Sequence, residues 1–201
     1  LYSKVYGAGI TGLEARIIQV EADVSNGLPV FHMVGVLASA VKEARERVRI
    51  SLQNSGFRIP AKRITVNLSP ADLRKDGSGY DLPIAVSLLA ASGMLPQNTD
   101  KSILMAGELG LNGHICSIQG ALAMALQAKK EGFRQFLLPR ENAREAAMVD
   151  GIDIIGVTTL LEAVEYLKGG LELPPVRVDL NALRHRFEEN TWEDFNEVYG
   201  Q

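Results

Sequence analysis

The sequence is poor in the features that mark secreted or membrane proteins. Its 201 residues contain one cysteine, Cys116, so no disulfide can form within the chain. A chain of this length can bury a sufficient core without disulfides, and a reducing cytoplasm is the expected compartment. Charged residues interrupt the apolar runs well short of a membrane span, and no signal-peptide pattern opens the chain. We expect no membrane contact.

Nucleotide-binding motifs are also missing. The chain has no G-x-x-x-x-G-K-[ST] sequence, whose lysine and hydroxyl a phosphate cradle needs. Gly7, Gly9 and Gly12 satisfy G-x-G-x-x-G, but that stretch precedes a strand pattern instead of opening a helix. The sequence therefore argues against a nucleotide site within these residues.

Residues that could bind metal are few and scattered. His32, His114 and His185 do not form the H-x-x-E-H or C-x-x-C spacings of known metal sites. Asp76 and Asp81 could hold a cation, but an acidic cap on the following helix is the preferred interpretation. We expect neither a cofactor nor a metal in this fragment.

Charge is unevenly distributed along a chain whose net charge is −3. The stretch 38–75 carries nine Lys/Arg against three Asp/Glu, whereas 171–201 carries three Arg against seven Asp/Glu. A basic segment can mark an anionic partner, and it can equally be a solvated helix face. The candidate contacts to a DNA backbone or to a neighbouring subunit are Lys42, Arg45, Arg49, Arg63, Arg74 and Lys75. With aromatic residues at only 6%, any nucleic-acid contact should be to phosphates and sensitive to salt.

The hydrophobic pattern predicts an α+β fold. Period-two alternation predicts strands over 18–24 and 63–68, and the Asn26-Gly27 turn predicts that residues 28–35 return as a hairpin strand. A helix follows, with an apolar stripe and a Glu43–Arg47 pair, and a second, buried helix begins near Leu82. Further predictions are a hairpin over 102–118 turning near Asn112-Gly113, helices over 121–130 and 141–149, strands over 135–138 and 152–157, and a last helix capped by Thr158. We expect helices packed on a mixed sheet over residues 1–170, then a linker over 171–201.

The loop LRKDGSGYDL, residues 73–82, has three possible roles. Ser78 could be a nucleophile, the glycines could cradle a phosphate, or the loop could simply lead into the buried helix. A Ser/Lys peptidase would need a lysine within hydrogen-bond reach of Ser78 Oγ, with Lys75 and Lys101 as the candidates.

The succession of strand, K-D-G loop, buried helix, G-E-L hairpin and L-L-P-R-E-N strand resembles the proteolytic domain of Lon, with its ribosomal-S5-domain-2-like fold. That family has a serine in a D-G-P-S-A-G loop and a lysine in a G-G-L-K segment. Matching K-D-G at 75–77 puts Gly79 at the serine position, and matching G-E-L at 107–109 puts Leu122 at the lysine position. The resemblance thus implies the fold without the catalytic pair.

Longer strings resemble the N-terminal domain of the magnesium-chelatase-like ComM/YifB family of AAA+ ATPases. They are SNGLPVFHMVG, AVKEARERVRISLQNSGFRIP, KRITVNLSPADLRKDGSGYDLPIAVSLLAASG and LLPRENAREAA. The closing DFNEVYGQ resembles the segment leading into that family's ATPase module. One departure is VGVLASAV, where the family usually has a G-L-P-D-like turn, and the loss of that Pro-Asp should weaken the helix start.

The resemblance implies a catalytically inactive domain of a ring-forming ATPase connected with DNA processing and natural transformation. Its partners would be its own AAA+ module and neighbouring subunits, with DNA possible. ATP and Mg would bind the module that this fragment lacks, so a G-x-x-x-x-G-K-[ST] sequence is expected soon after Gln201. Two alternatives stay open: the Ser/Lys peptidase using Ser78, and a stand-alone DNA-binding module that Arg45→Glu with Arg49→Glu would disable.

Overall fold

The computed structural model describes residues 1–96 and 102–179. Its strands are β1 (Tyr2–Thr11), β2 (Glu14–Ser25), β3 (Val30–Val34), β4 (Arg63–Ser69), β5 (Ile103–Met105), β6 (Glu108–Leu109), β7 (Ile115–Cys116), β8 (Gln135–Pro139) and β9 (Asp153–Val157). Its helices are α1 (Ser39–Asn54), α2 (Asp81–Ala91), α3 (Ala121–Lys130), α4 (Arg140–Ala146) and α5 (Leu160–Leu167). Helices and a mixed sheet in one chain confirm the α+β class.

Seven strands form one sheet in the order β3-β4-β2-β1-β5-β8-β9, and β6 with β7 forms a separate hairpin. β2 is antiparallel to both β1 and β4, while the other neighbours in the large sheet run parallel. One apolar cluster joins the sheet to α1, α2 and α5, and a second joins it to α3 and α4. The sheet therefore carries an apolar core on each of its two faces.

Helices α1 and α2 form as the apolar pattern predicts. Every residue of α2 is buried, which fits a helix that is apolar nearly all round. On α1 the predicted stripe is buried, and Arg47 lies 3.8 Å from Glu43. Ala38 occupies the N-cap without a side-chain hydrogen bond, as the missing Pro-Asp turn suggests. The backbone of Lys75 holds this helix start instead, since Ala38 N donates to Lys75 O at 2.9 Å.

The predicted hairpin between β2 and β3 is wrong. β3 pairs with β4 in parallel, and β4 lies between β3 and β2. Residues 26–29 lead away from β2, and the chain returns through α1, which makes β3–α1–β4 a crossover unit. Strand β1 was not predicted, because its glycines weaken the strand pattern.

Three local predictions also need correction. The 102–118 stretch is not one hairpin, since β5 joins the large sheet between β1 and β8, and only β6 and β7 pair around the Asn112-Gly113 turn. Thr159, not Thr158, caps α5, because its side chain accepts a hydrogen bond from Glu162 N at 3.1 Å. Helix α4 ends at Ala146, short of the predicted Val149.

Residues 171–179, at the start of the predicted linker, lie beside β9. Val176 N donates to Ile154 O at 2.8 Å, and Arg177 contacts the Asp153 carboxylate at 2.7 Å. In the two described ranges, no helix has the length and apolar character needed to cross a bilayer.

Candidate functional site: a groove between β1, the 74–79 loop and the 117–119 segment

Three chain segments converge on a groove with a volume of about 630 Å³. One wall is the end of β1 with its turn, another is the loop preceding α2, and the third combines Glu108 with the segment leading into α3. The lining residues are Gly9, Ile10, Thr11, Gly12, Arg74, Asp76, Gly77, Ser78, Gly79, Glu108, Ser117, Ile118, Gln119 and Met124. The K-D-G-S-G loop therefore forms one wall of a concavity that also contains Glu108 and residues 117–119.

Backbone hydrogen bonds tie the loop to the hairpin strand that carries Glu108. Gly107 N donates to Gly79 O at 2.9 Å, and Leu82 N donates to Gly107 O at 3.0 Å. An added Cβ at Gly107 would lie 2.8 Å from Ile115 Cγ2, so glycine permits this approach. The fixed position of the 76–79 loop thus follows from the burial of α2 and from these two bonds.

The β1 wall depends on Gly9 and on a buried tyrosine beneath it. A Cβ at Gly9 would lie 1.8 Å from Tyr80 Oη, so the tyrosine occupies the space that a side chain would fill. Tyr80 is 1% exposed, and burial raises the pKa of its hydroxyl to about 12. Tyr80 is therefore a neutral packing group under the groove.

The third wall is held by two residues of the L-L-P-R-E-N-A-R-E string. Asn142 donates to Ile118 O and accepts from Ile118 N, both at 2.9 Å, as a paired strand would. Glu145 accepts a hydrogen bond from Leu122 N at 3.1 Å. Helix α4 therefore sets the position of residues 118–122, a role that the sequence pattern did not reveal.

The two positions that match the catalytic pair of Lon lie at or beside this groove. Gly79 lines it, and an added Cβ would lie 3.8 Å from both Ala8 O and Ile118 Cγ2, which is ordinary contact. Leu122 is half-buried and packs with the apolar cluster of α3 and α4. Neither residue carries a group that can exchange a proton.

Ser78 makes a contact that the sequence did not predict. Its hydroxyl donates to the Glu108 carboxylate, across the groove from the loop. Lys75 is completely buried, and its ammonium donates to Pro70 O instead. Burial lowers the pKa of the Lys75 amine. The other candidate partner of Ser78, Lys101, lies outside the described residues.

The first residues of α2 do not offer a phosphate free backbone donors. At the start of α2, Asp81 N donates to Ser78 O at 3.2 Å, Leu82 N is bonded to Gly107 O, and Pro83 has no N–H. A helix start binds anions through free N–H groups, and these are already engaged. A nucleotide phosphate does not fit this helix start.

The six basic candidates do not form one surface. Lys42, Arg45 and Arg49 are exposed along one stripe of α1. Both arginines contact Glu46, at 3.5 Å and 3.1 Å. Arg63 lies on the sheet face opposite α1, since its neighbour Ile64 packs into the α1 core.

The two remaining candidates lie on the groove loop. Arg74 stands at the rim, 3.8 Å from the Asp76 carboxylate, and both side chains are mostly exposed. Lys75 is buried and cannot reach a phosphate. The α1 stripe is therefore the part of the predicted set that stands together and faces outward.

The predicted acidic cap is wrong for Asp81. Tyr80 occupies the N-cap of α2 without a side-chain bond, and Asp81 is completely buried. Its carboxylate accepts two hydrogen bonds from Arg47, at 2.7 and 3.0 Å, and one from Leu109 N at 3.1 Å. Burial raises the pKa of this carboxyl, and the bonds from Arg47 and Leu109 oppose that shift. The pair links α1 to the hairpin that carries Glu108.

The three histidines named in the sequence analysis lie in different places. His32 lies on β3 and His114 in the β6–β7 turn, and His185 lies outside the described residues. Asp76 accepts a hydrogen bond from Gly77 N at 2.8 Å within its own loop. Cys116 lies on β7, where burial raises the pKa of its thiol.

Comparison with known proteins identifies the family. The model of the family described as subunit ChlI of Mg-chelatase matches residues 20–142. Competence protein ComM of Haemophilus influenzae is 38% identical over 197 residues, which is 98% of this chain and 38% of that protein. Protein YifB of Escherichia coli is 40% identical over 202 residues, 99% of this chain and 38% of that protein.

A more distant relative supports the fold. The peroxisomal Lon protease homolog 2 of Caenorhabditis elegans is 26% identical over 172 residues, 83% of this chain and 22% of that protein. The chain spans little more than a third of ComM and YifB. The length of the matched strings and the shared loop order leave one conclusion, that the chain belongs to the Mg-chelatase-like family of ComM and YifB.

Proposed function

We propose that this chain is a catalytically silent, Lon-like domain that serves an AAA+ ATPase in ring assembly and DNA handling, including natural transformation. What supports the proposal is the match to Lon, which puts Gly79, in the groove wall, at the serine position and Leu122, in the apolar cluster of α3 and α4, at the lysine position. The name of the relative ComM, a competence protein, supports the connection with DNA uptake.

The motor would lie outside residues 1–201. ATP and Mg²⁺ would bind there, because residues 1–201 contain no G-x-x-x-x-G-K-[ST] sequence. The partners would be this module and neighbouring subunits of a homo-oligomeric ring, in the cytoplasm. Reading the gene beyond Gln201 tests the architecture, since a G-x-x-x-x-G-K-[ST] sequence is expected there.

The α1 stripe is the surface proposed to contact DNA or a neighbouring subunit. Lys42, Arg45 and Arg49 project from one helix face at intervals that keep them in line. Without aromatic residues between them, they suit phosphate contacts and not base stacking. Glu46 holds both arginines, so DNA would displace an existing contact to engage them.

The experiment measures duplex DNA binding by the full-length protein, with fluorescence anisotropy as the readout, at a series of salt concentrations. Replacing Arg45 and Arg49 by Glu should weaken duplex binding and lower the slope of log K against log salt by about two. A charge-matched control replaces Arg16 and Lys130, which are exposed on β2 and α3. Unchanged DNA binding with loss of the ring would assign the stripe to subunit contacts, and unchanged binding with an intact ring would refute the proposal for this stripe.

A Ser/Lys peptidase is the second candidate, favoured only by the lowered pKa of Lys75. The hydrogen bonds argue against it, because Ser78 is engaged with Glu108 and Lys75 with Pro70. A nucleophilic serine needs a base that accepts its proton, and neither contact supplies an amine to that hydroxyl.

A further inference from the structure

The two edges of the seven-stranded sheet differ in how they are covered. At the β9 edge, the chain's own residues 171–179 lie alongside and Val176 bonds to Ile154. At the other edge, β3 pairs only with β4 on its inner side within the described ranges. Natural proteins usually protect such an edge with charges, bulges or a covering segment.

The β3 edge carries none of the usual charges. Residues 26–41 contain no Asp, Glu, Lys or Arg. Four large apolar side chains are exposed along this stretch: Leu28 at 87%, Val30 at 37%, Val34 at 48% and Val36 at 50%. His32, at their centre, is exposed as well. An uncharged, apolar strand edge is a surface that pairs with another strand.

The pattern is symmetric about His32. Counting outward from His32, Val30 matches Val34, and Leu28 matches Val36. An isologous contact needs this property, because across a two-fold axis each residue meets its symmetry mate in the second copy. A second copy running antiparallel to β3 would therefore place valine on valine and histidine on histidine, with Leu28 and Val36 just beyond the two ends of the strand.

The backbone of β3 has the alternation that such a contact requires. Val30 N donates to the carbonyl of Lys62, which directly precedes the parallel strand β4. Val30, His32 and Val34 therefore direct their backbone groups inward to β4. Phe31 and Met33 then direct their N–H and C=O groups outward. With the axis at His32, Phe31 of one copy faces Met33 of the other, and the two pairs exchange four N–H···O=C bonds.

Charge on the neighbouring strand does not oppose this contact. Arg63 is the register partner of Val30, at one end of β3. In an antiparallel pair the two copies of Arg63 lie at opposite ends of the interface and so stay apart. The two histidines meet at a position without backbone bonds, where side chains approach most closely.

We propose that the β3 edge is the docking surface for a second copy of this chain, paired antiparallel about His32 into a continuous sheet. The contact is a two-fold one, separate from the α1 stripe, and it does not depend on the proposed function. Since one strand pair buries a small area, the dimer is concentration-dependent.

Sedimentation velocity of the 201-residue chain tests this. The mass should rise from 21.8 kDa towards twice that value between low and high micromolar concentration. His32→Lys puts like charges opposite each other and should raise the apparent Kd about tenfold or more. Gln19→Lys, an exposed change on β2, is the matched control and should associate like the wild type. Circular dichroism and urea midpoints check that both variants fold.

Cysteine pairing fixes the register. His32→Cys should form an intermolecular disulfide quickly under mild oxidation, because antiparallel partners at this position bring their Cβ atoms near disulfide range. Gln19→Cys should not. A chain that stays monomeric at all concentrations would overturn the proposal. This holds even if DNA or another protein were found to bind the β3 edge. A dimer that survives His32→Lys, or equal cross-linking of the two cysteine variants, would also overturn it.

Discussion

The groove differs from the buried Arg47–Asp81 pair in the polar contacts that its residues make. Beneath the groove, Asp81 is fully buried and receives hydrogen bonds from Arg47 and Leu109, so it joins two helices and a hairpin. In the groove, Ser78 contacts Glu108 and Gly79 lines the wall, while Leu122 packs in the apolar cluster of α3 and α4. Neither Gly79 nor Leu122 carries a group that can exchange a proton. The shape of this region and its chemistry can therefore be tested separately.

The largest effect is expected for Arg47→Met. Its removal leaves the buried Asp81 carboxylate without its charged partner, which should lower the free energy of unfolding by about 3–5 kcal/mol. Urea unfolding of the 201-residue chain measures this. The control is Arg49→Met, whose partner Glu46 is exposed and which should cost less than about 1 kcal/mol. Equal losses would show that the pair does not organise the region.

A second comparison sets two glycines of the groove against each other. Gly9→Ala forces a Cβ to within 1.8 Å of Tyr80 Oη, and such overpacking should cost about 1–3 kcal/mol or more. Gly79→Ala places its Cβ in open contact at 3.8 Å and should change stability by less than about 1 kcal/mol. Thermal unfolding of both variants distinguishes them. If Gly79→Ala were the more damaging change, the groove would not have room at the position of the missing serine.

The weak start of α1 offers a stabilising change. Ala38 has the extended backbone of an N-cap but no side-chain acceptor. Ala38→Ser should supply one and raise the free energy of unfolding by about 1 kcal/mol. Chemical denaturation measures the change in the free energy of unfolding. Ala38→Val is the control, because it adds volume without a hydrogen-bond acceptor. A serine variant no more stable than wild type would mean that the existing bond from Val41 N to Ala38 O already satisfies this end.

The smallest expected effect concerns acid pH, away from the groove. The hydrogen bond from Tyr2, with those from Asn67 and Ser69, holds the pKa of Glu21 below its ordinary 4.5. A carboxyl whose pKa is lowered in the folded state stabilises the protein at pH values above its ordinary pKa. This contribution disappears as the pH falls through the lowered pKa. Tyr2→Phe should therefore flatten the loss of stability below about pH 4.5. Urea midpoints measured against pH check this, and parallel curves for the two proteins would contradict it.

Much of the fold could be predicted from the sequence because local patterns dictated it. The stripe on α1, the fully apolar α2 and the alternation of β4 each follow from one helix or strand period. The order of strands did not follow, since nothing in residues 26–35 shows that β4 inserts between β2 and β3. Strand β1 was not predicted because Gly7 and Gly9 interrupt its pattern. These glycines allow Pro83 and Tyr80 to pack closely against the strand, and only the tertiary structure reveals that contact.

The candidate site was predictable in outline and not in its contacts. The loop around Ser78 stood out in the sequence, and the resemblance to Lon implied Gly79 and Leu122 as the positions of the catalytic pair. The Ser78–Glu108 bond joins residues thirty apart, and the Arg47–Asp81 bond joins residues thirty-four apart, so no local pattern could reveal either. Lys75 was predicted as a phosphate contact from its charge, but it is buried against Pro70.

The claim that this groove has lost its chemistry is tested most directly by a peptidase assay. The 201-residue chain is incubated with unfolded protein substrates and with a serine-directed fluorophosphonate, alongside Ser78→Ala. We predict no cleavage and no labelling by either protein, because Ser78 donates to Glu108 and the amine of Lys75 is bonded to Pro70 O instead. Cleavage or labelling by the wild type that disappears in Ser78→Ala would contradict the account.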